Sequence, residues 1–248
     1  TSVATAGDGN GEGFSDVIVG APGTTNGEVG EGRAYVYLGS PSGVSMVPVR
    51  MIESDQAGAQ LGRSVATAGD VDGDGFSDVI VGAYLYDNSQ SDEGRAYLYR
   101  GSASGLSGGP AWTAESDQPG AQLGISVATA GDVNGDGFAD VIVGANFFDG
   151  GEEDEGRAYL FQGSASGLSV APAWTAEGDL PGADFGMSVG TAGELNGDGF
   201  CDVIVGADGF SNGQLGEGRA FAYQGGPAGL ATTLAWTAVG DQGGAAFG

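Results

Sequence analysis

Hydrophobic and polar positions recur along this chain every 62 residues, and one unit shows the pattern for all four. In residues 64–68 small residues alternate, as on a crowded strand. Residues 76–82 are β-branched and apolar, the signature of a strand buried on both faces. A polar stretch of varied content follows up to Ala96. Residues 95–99 then alternate again as a third strand, and a Gly/Ser turn cluster closes it. Residues 110–115 read as an outer strand with Pro110 at its edge, where a missing N–H is tolerated. Residues 117–124 lead into the next unit.

A four-stranded meander cannot bury both of its faces alone. Stacking such sheets face to face around an axis buries them, so the expected fold is an all-β propeller of four-stranded antiparallel blades. The units span 1–62, 63–124, 125–186 and 187–248, one propeller domain over 1–248. Small residues suit the innermost strand. Trp112, Trp174 and Trp236 recur in the outer strand, with Arg50 in the first copy, and are expected as wedges between blades. Each unit also has a Glu-Gly-Arg element before its third strand (Glu31/Arg33, Glu93/Arg95, Glu155/Arg157, Glu217/Arg219), expected as a repeated ion pair or hydrogen-bond clip.

Between the first and second strands lies an acidic, glycine-rich loop. Oxygen-bearing side chains fall at loop positions 1, 3, 5 and 9. They are Asp8, Asn10, Glu12 and Asp16, then Asp70, Asp72, Asp74 and Asp78. The third set is Asp132, Asn134, Asp136 and Asp140, and the fourth is Glu194, Asn196, Asp198 and Asp202. Hard oxygen donors at alternating positions, with Gly at 4 and 6 to permit a tight wrap, suit Ca2+, up to four ions per chain. The backbone carbonyl at position 7 (Phe14, Phe76, Phe138, Phe200) is an expected further ligand, with the ring turned into its own blade. An EF-hand needs Glu at position 12 and flanking helices; the second loop has Val81 there, inside a β run. The second loop, with four Asp, is expected to bind best. Gly9 and Glu12 in the first, and the longer Glu194 in the fourth, should weaken those two.

Charge narrows the partners. A net charge of -26 repels nucleic acid. No apolar run approaches the ~18 residues that a membrane helix needs. The chain has no His, and its seven basic residues are all Arg, which removes the commonest general base and any Schiff-base lysine. Cys201 occupies a small-residue position held elsewhere by Ser15, Ser77 and Ala139.

These residues resemble the FG-GAP repeats of integrin α-chain propellers. The Phe-Gly element is Phe185-Gly186 and Phe247-Gly248, with Leu61-Gly62 and Leu123-Gly124 as variants. The Gly-Ala-Pro element is Gly20-Ala21-Pro22, followed in later units by Gly82-Ala83-Tyr84, Gly144-Ala145-Asn146 and Gly206-Ala207-Asp208. The resemblance covers the whole chain. It implies Ca2+ in the first hairpins on one face, recognition of a protein or glycan on the other, and a place outside the cell or at its surface. The loops of that second face keep their length while their content changes, and Tyr84, Tyr86, Phe147, Phe148 and Phe210 are the candidate contact surface. The expected function is non-catalytic adhesion or binding. The alternatives are a structural module, an excised part of a longer propeller, or a sialidase-like enzyme. The last needs a non-repeating polar cluster, whereas Arg50, Arg63 and Arg100 are scattered. Propellers of the resembled family have seven blades. Two of these chains closing head to tail into an eight-bladed ring would change the angle per blade least, so a homodimer is expected, with a closed four-bladed monomer as runner-up.

Overall fold

The computed structural model describes residues 2–248, which contain strands and no helix. The first sheet holds β1 (Ser2–Gly7), β2 (Asp16–Ala21), β3 (Arg33–Tyr37) and β4 (Arg50–Glu53). The second holds β5 (Ser64–Gly69), β6 (Asp78–Ala83), β7 (Arg95–Tyr99) and β8 (Trp112–Glu115). The third holds β9 (Ser126–Gly131), β10 (Asp140–Ala145), β11 (Arg157–Phe161) and β12 (Trp174–Glu177). The fourth holds β13 (Phe185–Gly193), β14 (Asp202–Ala207), β15 (Arg219–Tyr223) and β16 (Trp236–Val239). Every sheet is an antiparallel meander in chain order. The four sheets are blades of a β-propeller, and the first strands of successive blades adjoin one another along its axis.

Burial explains the β-branched second strands. Along β6 and β10 every side chain is buried, because both faces of the sheet are covered. Ile18, Ala34, Val36 and Ile52 on one face of the first blade pack against Val79, Val81, Tyr97 and Tyr99 of the second. The same pairing joins the second blade to the third and the third to the fourth. Each fully buried Ile or Val contributes roughly 1.5–3 kcal/mol relative to exposure.

The Phe-Gly and Gly-Ala-Pro elements meet across these junctions. The Gly62 carbonyl lies so close over Gly20 that a Cβ there would overlap it, and Gly124 over Gly82 repeats the contact. The preceding apolar residue, Leu61, Leu123 or Phe185, is fully buried. The tryptophans wedge the outer ends. Trp112 stands edge-on to Phe161 at 4.7 Å and Trp174 to Tyr223 at 4.8 Å. Their indole N–H groups donate to Ser169 O and Ala231 O in the next blade.

The two end blades each leave one face open. In the first, Val17, Val19, Tyr35 and Tyr37 are half-buried where their counterparts in the second blade are buried. In the fourth, Ile204 is 37% exposed and Trp236 51%, against 7% for Trp174.

Candidate metal centre

The acidic loops are built from backbone N–H groups wrapped around their first carboxylate. In the second loop, Asp70 Oδ1 accepts from Gly73 N (2.7 Å) and Asp74 N (3.1 Å), and Oδ2 accepts from Gly75 N (2.8 Å). Asp74 Oδ1 accepts from Phe76 N at 3.0 Å. The third loop repeats this set around Asp132. Around Asp8 two such bonds remain. Around Glu194 only the bond from Gly199 N remains among the described residues, because the extra methylene carries the carboxylate out of register.

The last acid of each loop anchors it. Asp78 Oδ2 accepts from Val71 N (3.0 Å) and Oδ1 from Gly101 N (2.9 Å), tying the loop to the turn after β7. Asp16, Asp140 and Asp202 do the same in their blades. Burial pushes the Asp78 and Asp140 carboxyls up to about 6, against the lowering effect of those N–H donors. Burial likewise raises Asp16 and Asp72. A cation among these groups would offset the cost of keeping them ionised.

The residues fit such an ion. One oxygen from each of Asp70, Asp72 and Asp78 lies within 4.8 Å of the other two. Asp72 Oδ1 is buried without a hydrogen-bond partner. Its other oxygen stands 3.0 Å from Arg100 Nε, an ion pair that the repeat pattern did not reveal because the other blades carry Leu38, Gln162 and Gln224 there. The donors are all oxygens, and Asp70, Asp72 and Asp78 are the side chains brought together that would hold Ca2+; the expected fourth, Asp74, is not among them and accepts from Phe76 N instead.

The position-7 rings differ from expectation. Phe76, Phe138 and Phe200 do not turn into their own blades. Each lies over the loop glycine of the preceding blade, Gly11, Gly73 and Gly135 respectively, and Phe14, which covers no loop glycine among the described residues, is 38% exposed. Loop position 4 has no side chain, so it offers the nearest flat apolar site for an aromatic ring. Backbone bonds accompany the contact. Ala139 N donates to Asp70 O (2.9 Å) and Ser164 N to Val71 O (3.0 Å), both from the third blade to the second loop.

On the opposite face the Glu-Gly-Arg arginines form the expected repeated ion pair in three blades, with a partner on the outer strand. Arg33, Arg95 and Arg157 bind the last glutamate of the outer strand, Glu53, Glu115 and Glu177. The guanidinium of Arg95 stacks over Tyr86 at 3.8 Å, that of Arg157 over Phe148 at 3.6 Å and that of Arg219 over Phe210 at 4.9 Å. Phe148 and Phe210 are therefore buried, edge-on to Tyr159 and Phe221, and do not belong to an exposed contact surface. Tyr84, Tyr86 and Phe147 remain half-buried, and the Tyr84 hydroxyl donates to Gln60 Oε1. Val29 and Leu215, 75% and 87% exposed in loops of this face, were not among the expected contact residues.

A family model for the FG-GAP repeat matches residues 61–99, 123–161 and 185–223. Human integrin alpha-7 is 33% identical over 181 residues, 70% of this chain and 14% of that protein. Mouse integrin alpha-IIb is 34% identical over 171 residues, 66% of this chain and 16% of that protein. Drosophila melanogaster integrin alpha-PS2 is 34% identical over 220 residues, 81% and 14% respectively. The chain thus spans about a seventh of the length of these relatives. Among solved structures, the rhamnogalacturonan lyase YesW aligns with 94% of this chain and 52% of its own at 15% identity and a TM-score of 0.42.

Proposed function

We propose that this chain, an array of integrin α-like FG-GAP repeats, is a Ca2+-stabilised, non-catalytic binding propeller that works outside the cell or at its surface. Its ligand is a protein or glycan met on the face opposite the metal loops. The observation that carries this reading is the contrast between the two faces. The acidic loops all hang on a buried anchoring Asp, while the loops between second and third strands rest on an Arg-stacked aromatic in three blades and vary in content above it. A uniform scaffold with a varied rim suits recognition. A bound Ca2+ would supply fixed positive charge among the loop carboxylates, holding the first hairpin of each blade in shape. A screen of immobilised glycans and extracellular proteins, run with Ca2+ and with chelator, tests the reading. Binding that persists after Tyr84, Tyr86 and Phe147 are replaced together, but fails when the acidic loops are altered, would reverse the assignment of faces.

The partner proposed for the open blade faces is a second copy of the chain. Trp236 lacks the ring that Trp112 and Trp174 find in the next blade, and Tyr37 occupies the repeat position of Phe161 and Tyr223. Gly197 has open space where Gly11, Gly73 and Gly135 meet a phenylalanine, while Phe14 covers no loop glycine among the described residues. Joining the fourth blade of one copy to the first of another makes both contacts, and two such junctions close a ring with two-fold symmetry.

A further inference from the structure

Three blades gather a second set of carboxylates, on the face away from the acidic loops. One oxygen from each of Glu93, Glu115 and Asp117 lies within 4.8 Å of the other two. Glu31, Glu53 and Asp55 do the same in the first blade, and Glu155, Glu177 and Asp179 in the third. The first member of each set is buried, the last exposed. One guanidinium stands among the three acids, that of Arg95 in the second blade, and it binds only Glu115. The cluster keeps a net charge of about −2.

The buried member is incompletely satisfied. Glu93 is fully buried, and its Oε1 accepts from Asn88 N (2.7 Å) and Ser89 N (3.1 Å). Its Oε2 is buried and has no partner. In the first blade it is Oε1 of the buried Glu31 that has none. A bare carboxylate oxygen in a protein interior is costly unless a cation or donor meets it.

The fourth blade supplies the contrast. There Val239 replaces the outer-strand glutamate, so no third carboxylate is present. Glu217 then has both oxygens occupied, Oε1 by Asn212 N (2.9 Å) and Oε2 by Gln214 N (3.3 Å). Arg219 turns its Nε to Thr237 Oγ1 at 2.6 Å. Where the triad is broken the buried glutamate closes on its own loop. In the first and second blades, where the triad is whole, one oxygen stays open.

We propose that each intact triad is a site for a divalent, oxygen-preferring cation, held by the buried glutamate (Glu31, Glu93 or Glu155) together with the outer-strand glutamate and the exposed aspartate; the open oxygens of Glu31 and Glu93 carry the inference, and the third blade shares it through the same three carboxylates. An all-carboxylate donor set, half-exposed and with room for water ligands, suits Ca2+ over a transition metal. The three sites lie at the base of the varied loops, on the face assigned above to recognition, so an ion there would also be open to an acidic or hydroxyl group of a ligand. The inference concerns these nine residues and stands whether or not the acidic loops hold metal.

Ion counting tests it directly. Equilibrium dialysis against Ca2+ at about 10 mM would load sites with the ~10⁻⁴–10⁻³ M affinity of extracellular modules. The paired variant Glu115→Val and Glu177→Val copies the fourth blade, and Thr113 and Thr175 stand ready to receive Arg95 and Arg157 as Thr237 receives Arg219. It should bind two fewer ions per chain than the unaltered protein. A second pair, Asp117→Asn and Asp179→Asn, leaves both arginine pairs intact and should lose the same two. An unchanged count in the second pair, with the fold intact by near-ultraviolet dichroism, would overturn the proposal. Asp70→Asn with Asp132→Asn reports separately on the acidic loops, so failure of one reading is distinct from failure of the other.

Discussion

Phe138 covers Gly73: its Cε1 lies 2.8 Å from where a Cβ on that glycine would stand. The two residues belong to the acidic loops of adjacent blades. Ala139 and Ser164, from the same blade as Phe138, donate to Asp70 O and Val71 O in the loop it covers. The loops are therefore joined in series, and the shape of one depends on the blade that follows.

Removing the metal should destabilise the protein. An ion at 100 times its dissociation constant adds about 2.7 kcal/mol per site, so excess chelator should lower the melting temperature by several degrees or more. Asp70→Asn should produce part of this loss with Ca2+ present, by weakening the loop with the fullest donor set. A melting temperature indifferent to chelator refutes metal stabilisation.

Gly73→Ala should cost about 1–3 kcal/mol. Its φ of 73° disfavours any side chain, and the new methyl would displace Phe138. Gly75→Ala has a similar φ of 90° and open space around it, so it isolates the backbone cost. Urea midpoints of the two variants should differ, with Gly73→Ala the weaker. Equal midpoints mean that the ring contact contributes nothing.

Asp184 gives a pH dependence. Burial first, then the neighbouring charges of Asp208 and Asp154, push its carboxyl up to about 6 from an ordinary value of 3.8. Because the folded state holds the proton more tightly, the neutral carboxyl costs little at about pH 4, and stability is lost as pH rises through 6 and the buried group must ionise. Asp184→Gln restores the residue found at Gln60 and Gln122. It should stabilise at pH 7 by roughly 1 kcal/mol, after discounting for solvent around a half-exposed group, and do nothing at pH 4. Denaturant melts at the two pH values measure this, and equal gains at both would remove Asp184 as the cause.

The mass in solution decides ring closure. Two copies should scatter as twice the 24.4 kDa chain. Trp236→Ala removes the ring that Tyr37 of the other copy would meet, and should shift the mass toward 24.4 kDa at micromolar concentration. A compact 24.4 kDa particle from the unaltered protein would defeat the dimer.

The blades, their strand order and the acidic loops were legible because each rests on a short-range signal repeated four times. The run 78–83 reads the same in every unit, and so does the structure built on it. Side-chain direction was less legible. The Phe76 ring was placed by its own strand's period, yet it sits where a period-2 pattern says nothing, in a loop whose nearest apolar site belongs to another blade. The Glu93-Gly94-Arg95 element predicts an ion pair without naming its partner. The strand register sets Arg95 opposite Glu115, a cross-strand relation that only the pairing of β7 with β8 defines. Phe148 and Phe210 looked exposed because they lie in polar loops, and the guanidinium stack that draws them inward joins positions nine residues apart.

Every junction between blades uses the same two unlike surfaces, an isoleucine-bearing face and a valine-bearing face, with the loop phenylalanine in a fixed place and, in the second and third junctions, the tryptophan as well. Any unit can therefore follow any other. Unequal recombination that duplicates or deletes a whole unit would leave each remaining junction formed as before, so blade number in such genes can drift without a compensating substitution, and only the curvature per blade would restrain it.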